Sequence, residues 1–396
     1  RLKLLTNIQI ETSRTRLTVN LMNAMIYAAV EQYSTSHLRK SSIRMLARSI
    51  TENKSHHGEH YITRNRSEYF KMFYSAAGGG VIIALMALNK IHIASLGFGE
   101  FTTSFLAVLN YGLGFMLIHM LHCTVATKQP AMTAASFAEQ VDSNEGSKAV
   151  DNKLAKLLID VCRSQSVAVF GNVSIAILLA AGIAWGYAYT HGQPLLNEAV
   201  TAYQLKSIEI FTQPTLWYAA IAGVWLFCSG IIAGFFDNRS DYLNLRQRLP
   251  FNPLLRKIMR PEPRRRLAAY IHKHYGSLMG NFIFGMLLGM TGYFGHLFGL
   301  PLDIRHVAFS SANLGYAAIS DHVDIFTFML GLASVLAIGM VNLVVSFSLA
   351  LAVALRSRGT RLGSMRNLLK SFWSQVKANP LILLYPVQVN NKENTK

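Results

Sequence analysis

Six stretches of the chain, at 73–95, 103–126, 167–189, 216–236, 277–298 and 326–355, are apolar and free of Asp, Glu and Arg, with Lys90 their single lysine. A helix needs about 20 such residues to cross the hydrocarbon core of a bilayer. Nothing else constrains the fold as strongly. Backbone in lipid must satisfy its own hydrogen bonds, and helices do so within one segment. The sequence therefore predicts an all-α, polytopic membrane helical bundle of six spans, arranged as three hairpins.

The distribution of charge supports this reading. Only 15% of the residues are charged, against about 25% in soluble domains, yet the net charge is +18. The segments 1–72, 128–166, 238–276 and 356–396 hold 35 of the 38 Lys and Arg residues. That alternation is the positive-inside pattern, and it places both termini in the cytoplasm. Residues 302–319 are short and open with Asp303, Arg305 and His306. Counting them as a seventh span would put the basic tail outside, so they are read as a re-entrant or interfacial helix on the outer side. Basic runs such as RPEPRRR (260–266) lie where Lys and Arg meet anionic lipid headgroups. This reading of the basic balance is preferred to nucleic acid.

Three parts follow: a cytoplasmic helical region over 1–70, a six-span membrane domain over 71–358, and a cytoplasmic basic tail over 359–396. Met22, Met25, Ile26, Ala29 and Val30 recur at helical spacing, which predicts an amphipathic helix on the membrane surface or against cytoplasmic loops. Two further amphipathic patterns fall near 149–162 and 262–276, and VNNKENTK reads as a disordered tail. The odd spans open with small or polar residues, AAGGG (76–80), Gly171-Asn172 and Gly280-Asn281, which would fit a threefold hairpin repeat. Gly285 and Gly289, Gly295 and Gly299, and Gly230 and Gly234 repeat at spacing four, as in closely packed membrane helices.

Candidate chemistry is sparse. His119 and His122 share one side of the second span with Tyr111 and Gly112. Polar side chains in hydrocarbon are costly, so this stripe is expected at the bundle interior. Asn172, Asn281, Asn342 and Ser346 are further buried polar positions. Asp303, Arg305 and His306, followed by Ser310, Ser311 and Asn313, gather at the outer mouth. If these line one route, His119 and His122 face Asn342 and Ser346 across the bundle, and the histidines make the route pH-sensitive. HHGEH (56–60) lacks HExxH spacing and reads as a solvated loop. Cys123, Cys162 and Cys228 form no CxxC pair. No metal, cofactor or catalytic residue is expected, since no soluble catalytic signature is present.

Several long runs resemble a bacterial family, the gonococcal-type site-specific recombinases. They are GEHYITRNRSEYFKMFYSAAGGG (58–80), NYGLGFMLIHMLHCTVATKQPAMTAA (110–135), AAIAGVWLFCSGIIAGFFDN (219–238), GLPLDIRHVAFSSANLGYA (299–317) and GMVNLVVSFSLALAVALRSR (339–358). The resemblance implies the C-terminal membrane part of a longer protein, located in the bacterial inner membrane. Family membership carries no catalytic residue onto this sequence. The expected function is non-enzymatic handling of a small solute, ion or lipid through a polar interior. The alternatives are an assembly scaffold with a protein partner, and DNA handling as the family label states.

Overall fold

The helices start and stop where capping chemistry dictates. The first long helix, Arg66–Ser95, begins because the Asn65 side chain accepts the Glu68 N–H at 2.9 Å. This satisfies one donor that the first turn leaves open. The helix at Pro261–Phe298 starts with proline and ends at Gly299, whose left-handed φ of +61° suits glycine. The computed structural model describes residues 14–35, 63, 65–126, 148–321, 323–358 and 365–386. The HHGEH run and the VNNKENTK tail lie outside them.

The helices longer than two turns are α1 (Arg14–Tyr33), α2 (Arg66–Ser95), α3 (Glu100–Met120), α4 (Lys148–His191), α5 (Glu198–Ile208), α6 (Thr215–Tyr242), α7 (Pro261–Phe298), α8 (Val307–Ser320), α9 (Ile325–Arg358) and α10 (Met365–Ala378). No strand occurs among the described residues. The six helices α2, α3, α4, α6, α7 and α9 are long and apolar enough to cross a membrane. The predicted all-α bundle is what forms. The amphipathic patterns at 149–162 and 262–276 continue into the apolar stretches that follow them as the single helices α4 and α7. The α1 stripe is exposed at Met22, Met25, Ile26 and Val30. In the basic tail, α10 docks Leu368 and Phe372 against Leu154, Leu157 and Val161 of α4.

Packing keeps one of the three hairpins, α2 with α3, and otherwise joins helices of different hairpins. Among the described helices, α2 packs on α4 and α3, α3 on α7, α7 on α6, and α6 on α9. The buried α8 closes the ring against α4 and α9. The segment 302–319 folds back into the bundle as α8. After Gly299 the chain doubles back along α7, with Leu302 against Gly295 and His306 beside Phe284. Phe284 lies fourteen residues below the end of α7, about 21 Å at 1.5 Å per residue.

The bundle is instead two inverted halves of three helices, α2-α3-α4 and α6-α7-α9. In the first half, the non-helical residues that follow α3 are held by the Asn172 side chain. Its Oδ1 accepts the Ala126 N–H (2.7 Å), and its Nδ2 donates to the Thr124 carbonyl (3.0 Å) and to the Ala76 carbonyl of α2. In the second, the residues that follow α7 are held by Asn342. Its Oδ1 accepts the Val307 N–H (3.1 Å), and its Nδ2 donates to the Arg305 carbonyl (3.0 Å) and the Ala219 carbonyl of α6 (2.7 Å). A fourth bond matches as well, since Thr124 N–H donates to Ser75 and Arg305 N–H to Tyr218.

The correspondence extends to packing. A Cβ on Gly80 would meet the Asn172 carbonyl oxygen and Ile175 Cβ, and one on Gly223 the Asn342 carbonyl oxygen and Val345 Cβ. At the centre, α3 crosses α7 with Val108 against Gly289 and Gly112 against Gly285. These crossings are close enough that only glycine fits on α7. Residues 126 and 307 correspond with an offset of 181, and Val108 and Gly289 differ by the same offset. The crossing therefore lies on the pseudo-two-fold axis. This replaces the threefold repeat. Asn281 does not play the part of Asn172, because its amide donates within α7 to Ser277.

Candidate functional site

The expected pairing of His119 and His122 with Asn342 and Ser346 does not form. His119 Nε2 instead lies 3.1 Å from His274 Nδ1 of α7, whose ring packs on Tyr270. The reason is topological: α3 packs on α2 and α7, whereas Asn342 and Ser346 belong to α9, which packs on α6 and α8. Ser346 is buried and donates within its own helix to Leu343. The amide of Asn342 is consumed by the backbone bonds described above. Neither residue lines a pocket described here.

The other candidates separate into two pockets at opposite ends of the bundle. The basic-side pocket, about 400 Å³, is lined by Glu68, Lys71, Ser75, His119, His122 and Cys123, among others. His122 is exposed in a left-handed conformation, φ +57°, and its carbonyl accepts the Ser75 hydroxyl at 2.9 Å. The histidines thus stand at the end of α3 rather than at mid-depth. Among the described residues no three His, Cys, Asp or Glu side chains gather as a metal site.

The far-side pocket is a cavity of about 30 Å³ formed where the doubled-back segment meets α2, α3 and α5. Arg305 is held by three hydrogen bonds and an aromatic ring. Its Nη1 donates to Asp303 Oδ2 (2.6 Å) and the Ile304 carbonyl, its Nε donates to the Ser207 carbonyl (2.6 Å), and its guanidinium lies 5.4 Å from the Tyr218 ring centre. A charge this buried requires both its counterion and its hydrogen bonds. His306, 1% exposed, caps α8 by accepting the Ala308 N–H. Ser310 and Asn313 line the cavity, while Ser311 donates to Ala308 within α8.

The sequence reading omitted Lys90, Tyr203 and Gln204, which share this cavity. The signal for Lys90 was its solitude as a lysine inside an apolar stretch. Tyr203 and Gln204 gave none, because only α5 folding back into the bundle brings them there. Between the pockets stands an aromatic plug. Phe115 is fully buried, 5.0 Å from Phe284 and 5.9 Å from Phe309, while Tyr111 lies 4.5 Å from Phe309. Tyr111, Phe115 and His119 are spaced by four on one face of α3. That face runs from the cavity, through the plug, to the basic-side pocket.

Inverted halves with interrupted backbone at their interface, and a pocket at each end, define a helical bundle of a two-sided kind. The chain belongs to the family described as Site-specific recombinase, whose model matches residues 1–386. No curated protein and no solved structure matches it.

Proposed function

We propose that this protein sits in the bacterial inner membrane with both termini in the cytoplasm and passes a small solute or ion between its two pockets. The observation that carries this reading is the inversion of its halves about the Val108–Gly289 crossing. In membrane transporters, inverted repeats supply two alternative states by rocking against each other, with binding sites at their interface near interrupted helices. Here the same four hydrogen bonds recur at opposite ends. The α3 face between the pockets is closed by Phe115, as a hydrophobic constriction closes a conduction route. The basic loops meet anionic headgroups.

A membrane scaffold requires neither the inversion nor a closed route between pockets. The recombinase description implies a nucleophile presented to a duplex by a broad basic surface, whereas the reading here rests on buried polar groups inside the bundle. Cysteine accessibility tests it. With Cys162 and Cys228 changed to Ala, native Cys123 reports on the basic side, and an introduced Asn313→Cys reports on the cavity. A bulky maleimide at Cys123 is expected to slow labelling of Asn313→Cys. Labelling rates that are independent of each other would overturn the two-state reading.

A further inference from the structure

We infer that the far-side cavity is a binding site for a small monovalent anion of halide size, with Lys90 its principal ligand. This rests on the transport reading for its purpose, though not for its geometry. Three positive elements converge on the cavity. Lys90 is exposed, lines its wall and makes no ion pair among the described residues. Arg305 stands opposite, its charge matched by Asp303. The N-terminus of α8, with the partial positive charge of a helix start, opens beside both at His306, Phe309 and Ser310. One carboxylate thus faces two cations and a helix dipole, which leaves room for one negative charge.

The neutral groups in the wall are also unspent. Gln204 and Ser310 are 8% and 3% exposed, both line the cavity, and neither side chain has a hydrogen-bond partner among the described residues. Polar groups away from bulk water are paired in the great majority of cases, so two such groups lining one cavity suit a ligand that accepts hydrogen bonds. Tyr203 and Asn313 complete a lining rich in donors. Size narrows the class further. About 30 Å³ holds one or two water-sized species, which suits a bare halide.

The purified full chain in detergent, titrated with sodium bromide against sodium gluconate at equal ionic strength, tests this. Bromide is expected to raise Tm saturably and gluconate is not, because gluconate exceeds the cavity. Lys90→Met should raise the half-saturating bromide concentration by about ten-fold or more, equivalent to about 1.4 kcal/mol. Lys206→Met, on the exposed face of α5, should leave it unchanged. If Lys90→Met does not fold, Gln204→Leu and Asn313→Leu give the same reading. Equal shifts from both salts, retention of the bromide shift in Lys90→Met, or a shift with a short-chain phosphatidate and none with bromide would each overturn the anion site. Bromide binding together with independent labelling of the two pockets would keep the site and remove the transport reading.

Discussion

At the scale of single residues, the two asparagines do the work that a strand partner does in a sheet. Each side-chain amide pairs with an N–H and with the carbonyl two residues earlier on a non-helical segment, and also takes a helix carbonyl. Truncation to Ala leaves one N–H and one carbonyl of the non-helical segment unpaired in a buried setting, at about 1–3 kcal/mol for each group, and removes a second bond to a helix carbonyl. Asn172→Ala and Asn342→Ala are therefore expected to lower Tm steeply and by similar amounts. Ser346→Ala, which removes only a bond within its own turn, should stay within about 0.5 kcal/mol. A thermal melt in detergent compares the three, and a mild Asn342→Ala would contradict the tethering role. That these asparagines are buried was legible, since amides in apolar stretches must find partners. Which partners they find was not, because Thr124 and Ala76 lie far from Asn172 along the chain, and nothing local in the sequence joins them.

At the scale of elements, apolar length announced the six long helices, and charge alone set their expected ends. Helix α4 exceeds its apolar stretch because no Gly or Pro interrupts 148–170, so the helix runs through the charged residues into the apolar stretch. Caps mark the true ends. The clearest is Asp324, whose carboxylate accepts the Thr327 N–H (2.9 Å) and hydroxyl (2.8 Å) to start α9. Those bonds hold its pKa below the usual carboxylate value of 3.8. A carboxyl depressed by folding stabilises the native state fully above its unfolded pKa, and loses that contribution as pH falls through the folded value. Wild type is thus expected to lose stability relative to Asp324→Asn as pH drops below about 4. The Asn side chain keeps a capping oxygen and does not titrate. Melts from pH 7 down to pH 3 measure the divergence; parallel curves would show that the cap contributes nothing.

At the scale of the whole molecule, the inversion escaped the sequence because it has no fixed period. Ala76 matches Ala219, Thr124 matches Arg305 and Asn172 matches Asn342, at offsets of 143, 181 and 170. AAGGGV and AAIAGV (76–81 and 219–224) are similar, as are NVSI and NLVV (172–175 and 342–345), but such matches are common in apolar sequence. Connections of unequal length, including the segment that places α8 in one half, shift the register between them. The aromatic plug is a property of this assembled whole, since Phe115, Phe284 and Phe309 come from α3, α7 and α8 and meet where the two halves cross. Phe115→Ala removes the side chain that touches both others. The loss of packing should cost about 3–5 kcal/mol, and the vacated space joins the cavity at Tyr111 to the pocket at His119. In proteoliposomes the folded variant is expected to leak bromide faster than wild type. Phe115→Leu, which refills most of the volume, should stay tight. A folded Phe115→Ala protein as impermeable as wild type would show that the α3 face is packing and not a path.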